Sequence, residues 1–207
     1  MVTGPVECVA GAPELACAAA VDGAAAEGIP VDGAGGVPVD GAGASAERFR
    51  DVMRHFPTGV TVLTTTGPEG PHGMTANAVM SVSLDPPTLL VAIHRRARTH
   101  AIVRAVPTFT VNILAADQRD HAELFARTDP EEDPFLCAGW APSPVTGNPV
   151  LDRSLAVLDC RVERRLAVAD HTLVVGSVVG TSVGRPDAGP MVFARREFCE
   201  VGHFGGK

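Results

Sequence analysis

The chain has no tyrosine, one tryptophan and a single lysine, Lys207. These absences exclude a tyrosine acid or base and an internal Schiff-base lysine, so any catalysis must use other groups. No run approaches the roughly 18 apolar residues of a membrane helix. The N-terminal residues lack a basic region followed by an apolar core. The expected location is therefore the cytoplasm, with no membrane partner. Five cysteines, at 8, 17, 137, 160 and 199, are an odd number without a C-x-x-C pair. They read as reduced thiols or small core residues, not as a disulfide framework or a zinc site. An excess of basic charge is missing too. The formal charge is -7, but residues 1–44 hold six acids and neither Lys nor Arg, leaving 18 acids against 17 bases over residues 45–207. A segment at formal -1 is not a strongly basic nucleic-acid binder, and no nucleic-acid partner is expected.

Residues 1–44 contain nine Gly, twelve Ala and four Pro, with V-D-G-A repeated at 21, 31 and 39. Such a segment buries too little side-chain area to offset the entropy of ordering it. A disordered, acidic N-terminal extension is expected there, with the folded domain spanning 45–207. Gly41-Ala42-Gly43 is a poor dinucleotide fingerprint, because no strand precedes it.

Order is expected to begin at Ser45, an N-cap, followed by Phe49, Val52, Met53 and Phe56 at helical spacing up to Pro57. The β-branched run Val60 to Thr66 and the turn residues 67–71 predict a hairpin whose returning strand runs from Met74 to Ser83. Asp85-Pro86-Pro87 is a second turn, before a buried strand from Thr88 to Ile93. Thr99 is expected to cap a short helix through Val106, and Phe109 to Leu114 reads as a strand. Asp117 to Phe125 has helical period, and Thr128 to Pro149 is a Pro- and Gly-rich loop containing Trp140. Ala156 to Val168 and Thr172 to Val183 form a long hairpin about Ala169-Asp170-His171, and Met191–Phe193 with Phe198–Val201 completes the set. About seven strands and three short helices, without strand–helix alternation, predict a mostly β, mostly antiparallel barrel.

Two motifs compete for chemistry. Gly180-Thr181-Ser182-Val183-Gly184 matches the G-x-S-x-G nucleophile elbow in letters, but the Pro- and Gly-containing residues 185–190 that follow cannot start the required helix. The seven histidines never pair at the i, i+4 spacing of a metal-binding helix, and no metal is expected. The stretch from Gly73 to Pro87 differs in kind. Small hydroxyl and amide side chains recur where bulky β-branched residues are the default, which allows close approach of a flat ligand and neutral hydrogen bonds to its edge.

The order of further pieces carries a resemblance. Phe49-Arg50, Pro57-Thr58-Gly59-Val60, Gly73-Met74-Thr75-Ala76-Asn77, Ser81-Val82-Ser83, Asp85-Pro86-Pro87 and Arg98-Thr99 are followed by Gly147-Asn148-Pro149, Leu158 to Val162, and Ala169-Asp170-His171 before Gly176. From about Phe49 to Val201 the chain resembles the flavin reductase family with the FMN-binding split barrel, the reductase components of two-component flavin-dependent monooxygenases. The resemblance implies an antiparallel Greek-key split barrel with a few short helices, homodimeric, binding FMN or FAD near the subunit interface. It implies that Thr58, Gly59 and Val60, with Thr75, Ala76 and Asn77, border the isoalloxazine. Ser81, Val82 and Ser83 would hydrogen-bond its edge and ribityl chain, and the Arg95–Thr99 segment, through Arg98 and Thr99, would hold phosphate. That last placement agrees with the anion affinity of a helix N-terminus beside arginine.

Asp170-His171 matches the family's Gly-Asp-His motif for the nicotinamide of NADH or NADPH, with Ala169 in place of Gly. If that position needs positive φ, alanine is strained by about 1 kcal/mol. Phe198 stands where members often have Tyr. The implied reaction is hydride transfer from the nicotinamide to a flavin that then leaves for a partner monooxygenase. No acid or base is required of the protein, and His171 positions the nicotinamide. The alternative is a split barrel that holds flavin tightly, or heme, without releasing flavin.

Overall fold

The threonine- and valine-rich stretches form strands throughout the computed structural model, which describes residues 45–127 and 133–201. The expected extension at 1–44 lies outside the described residues, as does part of the expected 128–149 loop. Helix α1 (Ala46–Met53) leads to β1 (Thr58–Gly59), β2 (Thr61–Gly67) and β3 (Gly70–Ala76). Strands β4 (Val79–Leu84) and β5 (Pro87–His94) precede α2 (Arg98–Ala105) and β6 (Thr108–Ile113). Helices α3 (Arg119–Ala126) and α4 (Pro134–Cys137) are followed by β7 (Trp140–Pro142) and β8 (Pro149–Leu151). The long strands β9 (Ala156–Val168) and β10 (His171–Val183) and the short pair β11 (Met191–Ala194) and β12 (Glu197–Glu200) complete the described chain.

Seven strands form one antiparallel sheet in the order β3-β2-β6-β9-β10-β5-β4. Its two edge strands, β3 and β4, are neighbours in sequence, joined only by Asn77 and Ala78. The three residue steps from Ala76 to Val79 span at most about 11 Å. The sheet therefore curls until its edges meet, as a barrel split between β3 and β4. Insertion of the β9–β10 hairpin between β6 and β5 gives the Greek-key order. The expected single strand from Met74 to Ser83 is thus two strands on opposite edges, because the chain breaks from the ladder at Asn77-Ala78. The expected barrel is otherwise present. The strand count rises because the loop expected up to Pro149 contains α4 and the β7–β8 pair, and because β1 pairs with β11 in a small side sheet.

Strand β2 is buried on both faces, and its alternation divides the core in two. Leu63 joins Leu89, Val91, Ile93, Phe109, Val111 and Val174 inside the barrel. Val62 faces the other way, toward Leu114, Phe125, Phe135, Leu151 and Met191. Gly176 makes room for the buried Phe109, since a Cβ there would stand 2.7 Å from its ring. Buried polar groups staple the 143–151 segment to the barrel. Asn112 donates through Nδ2 to the Val62 carbonyl at 3.1 Å and accepts from the Leu151 N–H at 2.9 Å. The Asp159 carboxylate accepts from the hydroxyls of Thr110, Thr146 and Ser143 at 2.6–2.7 Å. Asn148, within the Gly147-Asn148-Pro149 piece, accepts from the Thr66 N–H at 3.1 Å, so this part of the resemblance has a structural job. Beside Asp159, burial and the neighbouring carboxylate push the Cys160 thiol up to about 12, leaving it an inert core residue.

Ser45 caps α1 as expected, accepting from the Arg48 N–H at 3.2 Å. The apolar face of that helix is not packed on its own chain: Phe49, Val52, Met53 and Phe56 are all exposed. Thr99 is not the cap of α2. Ala97 holds that position without a side-chain cap, while Thr99 sits buried in the first turn and donates to the Gly73 carbonyl at 3.3 Å. Ser182, of the elbow-like motif, lies within strand β10 opposite Val157, far from the sharp strand-to-helix turn a nucleophile needs.

Candidate functional site

One concavity among the described residues is a cleft of about 410 Å³, within the range of about 300–1,000 Å³ usual for small-molecule sites. Its floor is β3. At Gly73 an added Cβ would stand 2.8 Å from two atoms of the Phe125 ring and 3.1 Å from Phe135, so bare backbone meets aromatic rings there. Phe125 and Phe135 pack edge to face at 5.1 Å, held by α3 and α4. Thr75 fastens the floor to α3 by donating to the Ala122 carbonyl at 2.6 Å. Part of the lining is polar. Arg98 opens α2, whose first N–H groups have no side-chain cap, and Arg127 follows α3. Asp133, also on the wall, uses its carboxylate to cap α4 by accepting from the Phe135 N–H at 3.0 Å.

A second hollow of about 260 Å³ lies between α1 and the β11–β12 turn, and Asn77 and Phe193 border both spaces. Arg50, Arg54, Arg195 and Arg196 surround it. Arg195 and Arg196 have φ of 52° and 70°, so both central residues of the turn are left-handed, a conformation that favours Asn and Gly. Thr58 Oγ1 and Arg54 Nε are buried here without a hydrogen-bond partner among the described residues.

The residues singled out from sequence divide into groups. Val60, Thr75, Asn77, Arg98, Thr99 and Phe198 line the cleft together. Thr58 lies on the second hollow, while Gly59 and Ala76 line neither. Ser81, Val82 and Ser83 stand outside the cleft on the edge strand β4, where the Ser83 hydroxyl exchanges hydrogen bonds with the backbone of Asp85. Asp170 and His171 also lie outside the lining, but the backbone joins them to it: the Arg95 N–H donates to the Asp170 carbonyl at 2.9 Å, three residues before Arg98. His171 Nδ1 lies 2.7 Å from Asp170 Oδ1, and this hydrogen bond holds the Asp170 carboxyl below its ordinary range. Ala169 has φ of 48°, so the alanine in place of glycine is in the strained region.

Sequence reasoning did not find the far wall, Phe125, Arg127 and Phe135. Helical period marks α3 as amphipathic but does not say which element its face meets. The one usable signal was Gly73 in an otherwise side-chain-bearing strand, a mark of close approach.

An antiparallel split barrel with a cleft walled by aromatic rings and lined also by arginine and an uncapped helix N-terminus is suited to receive a flat, anionic molecule. The family described as "Flavin reductase like domain" matches residues 53–202, and the chain belongs to it. The FMN reductase (NADH) RutF of Stutzerimonas stutzeri (strain A1501) is 41% identical over 133 residues, covering 64% of this chain and 76% of that protein. The solved NADH:FAD oxidoreductase SgcE6 of Streptomyces globisporus C-1027, in complex with NAD and FAD fragments, superposes with a TM-score of 0.72 at 35% identity, covering 77% of this chain and 94% of that one. The styrene monooxygenase flavin reductase SMOB of Pseudomonas putida S12 has a TM-score of 0.68 at 29% identity, covering 75% and 97%. The expected family and split-barrel fold are therefore borne out.

Proposed function

We propose that this chain is an NAD(P)H:flavin oxidoreductase that reduces free FMN or FAD and passes the reduced flavin to a partner monooxygenase in the cytoplasm. The cleft carries this reading: a largely apolar space of the right size, with Arg98, Arg127 and the α2 N-terminus in its lining for phosphate. Membership of the family and the NADH-dependent flavin reductases among its relatives support it. No helix among the described residues is long and apolar enough to cross a membrane.

The nicotinamide supplies hydride from C4 and the flavin accepts it at N5, so the cofactor rings carry the chemistry. The protein has to orient two rings and exclude water, which contributes through proximity rather than through an acid or base. Val60, Thr75 and Phe198 bound the ring space, Asn77 links it to the arginine-lined hollow, and Asp170-His171 takes the nicotinamide side. Thr58 Oγ1, buried and unpaired, is free to hydrogen-bond a ligand edge. Ser81–Ser83 stand on an exposed edge strand with apolar Met80, Val82 and Leu84. A second copy packed against this strand and the bare face of α1 would complete the site as a homodimer.

Steady-state oxidation of NADH and NADPH, with FMN, FAD and riboflavin varied in turn, tests the activity. Rapid turnover dependent on added flavin is expected. A yellow colour that survives gel filtration, with no oxidation of NADH on adding free flavin, would replace this reading by a tightly bound flavoprotein. His171→Ala should raise the KM for NADH up to about tenfold while leaving that for flavin nearly unchanged, the loss of a neutral hydrogen bond being worth about 0.5–1.5 kcal/mol. Equal effects on both constants would remove His171 from the nicotinamide side.

A further inference from the structure

His94, the last residue of β5, is opposite His171 in the β5–β10 ladder. Their rings meet edge to face with centroids 5.0 Å apart. The Arg96 N–H donates to His94 Nδ1 at 3.0 Å. A ring nitrogen that accepts a hydrogen bond carries no proton, so the neutral His94 ring has its proton on Nε2. That nitrogen stands 3.3 Å from Asp170 Oδ2. The other carboxylate oxygen, Oδ1, is 2.7 Å from His171 Nδ1. A carboxylate only accepts, so His171 donates from Nδ1 and its Nε2 is left as an acceptor. Among the described residues nothing bonds that Nε2.

Asp170 thus bridges one imidazole by a hydrogen bond and a second by a close electrostatic approach short of hydrogen-bond geometry, and each end of the bridge is set by backbone: Arg96 N–H orients His94, and Arg95 N–H holds the Asp170 carbonyl at 2.9 Å. The bridge matters because Asp170 lies in a two-residue turn and its side chain is 70% exposed. With one imidazole alone, the carboxylate and the His171 ring are free to turn together into solvent. The edge contact with His94 and the close approach of its Nε2 to Asp170 Oδ2 restrict that freedom.

We infer that His94 is a positioning residue for nicotinamide binding: it holds Asp170 and the His171 ring so that His171 Nε2 faces the ligand and accepts an N–H of the nicotinamide carboxamide. This rests on the placement of His171 at the nicotinamide side. His94 itself touches no substrate in this scheme. Sequence alone gives no sign of it, since the residue precedes an arginine run and matches no motif. Its role arises from the register that sets β5 beside β10.

The test uses the full chain and varies NADH and flavin separately. His94→Ala is expected to raise the KM for NADH about two- to tenfold, the range set by loss of an edge-to-face ring contact and the close Nε2–Oδ2 approach, with kcat and the KM for flavin within about twofold. His94→Gln places an amide N–H₂ near the Nε2 position and should restore most of the loss, whereas His94→Asn reproduces only the Nδ1 position and should not. A merely structural role would make the two amides equivalent, and that result overturns the proposal. Imidazole ¹⁵N spectra should show His94 protonated at Nε2 and His171 at Nδ1; the reverse tautomer at His94 also overturns it. If His94→Ala does not fold, the Gln and Asn variants, both polar at a half-exposed position, decide the matter. Two failures are distinguishable. An unchanged KM for NADH in His171→Ala removes the underlying placement, while a raised KM in His171→Ala together with an unchanged one in His94→Ala overturns the His94 inference alone.

Discussion

The cleft floor and the outer surfaces of α1 and β4 are both apolar, but only the first is packed by its own chain. Phe125 and Phe135 are 4% and 7% exposed, whereas Phe56 on the segment after α1 and Leu84 on β4 are 62% and 88% exposed. Side chains of the same type therefore do two jobs. Those behind Gly73 build a rigid surface in a single copy, and those on α1 and β4 form a surface whose burial needs a second body. Scattered exposed apolar residues are ordinary, but Phe49, Val52 and Met53 share α1, with Phe56 just after it, and Met80, Val82 and Leu84 share one edge strand.

Paired substitution of Phe56→Asp and Leu84→Asp should break the comparison most. Each large apolar group is worth about 1.5–3 kcal/mol on burial, so the dimer dissociation constant should rise about a hundredfold or more by sedimentation, with the monomer still folded. A wild-type chain that sediments as a monomer at every concentration would instead show these surfaces to be ordinary exposed ones. Gly73→Val strikes the packed side. Its Cβ meets two rings that have little room to move, costing about 1–3 kcal/mol in thermal unfolding and weakening flavin binding about tenfold in a fluorescence titration. An unchanged melting temperature with unchanged binding would mean the floor is soft.

Two smaller changes serve as controls outside both regions. Ala169→Gly relieves left-handed strain of about 1–2 kcal/mol against an added chain entropy of about 0.4–1 kcal/mol, so a net gain under about 1 kcal/mol in denaturant unfolding is expected. Loss of stability would show that the turn is not strained. Asp117 joins Arg185 and Arg153 at 2.6–3.1 Å, and the hydrogen bonds from Arg185 in particular lower its pKa from 3.8 to about 2. A lowered folded value means the stabilisation is complete above 3.8 and disappears as pH falls toward about 2. Since the side chain is half exposed, Asp117→Asn should cost under about 1 kcal/mol at neutral pH, and the difference from wild type should close across that acid window. A difference that persists below pH 2 would assign the effect to something other than the carboxylate charge.

Local patterning made most of the barrel readable. The β-branched run Val60 to Thr66, the turn residues at 67–71 and the long β9–β10 hairpin all express preferences of a few neighbouring residues. The Met74–Ser83 stretch, expected as one strand, breaks at Asn77-Ala78; small polar residues continue across that point, and only the closure of the sheet separates the two strands. The candidate site was legible in part for the same reason. Residues on β3 and at the start of α2 carry local signals, while Phe125, Arg127 and Phe135 reach the cleft only through the packing of α3 and α4 on β2 and β3.

The sequence by itself determined the alternation of strands and turns, the near-neutral balance of residues 45–207, and the small-residue stretch that keeps the cleft floor bare. Tertiary structure decided which ends meet. It set β3 and β4 at opposite edges, brought Arg98 and the aromatic wall to one cleft, and put His94 beside His171 across the β5–β10 ladder. The physical reason is range: propensity, capping and turn geometry act over a few residues, whereas a binding site is made by sheet register and burial acting between residues tens of positions apart.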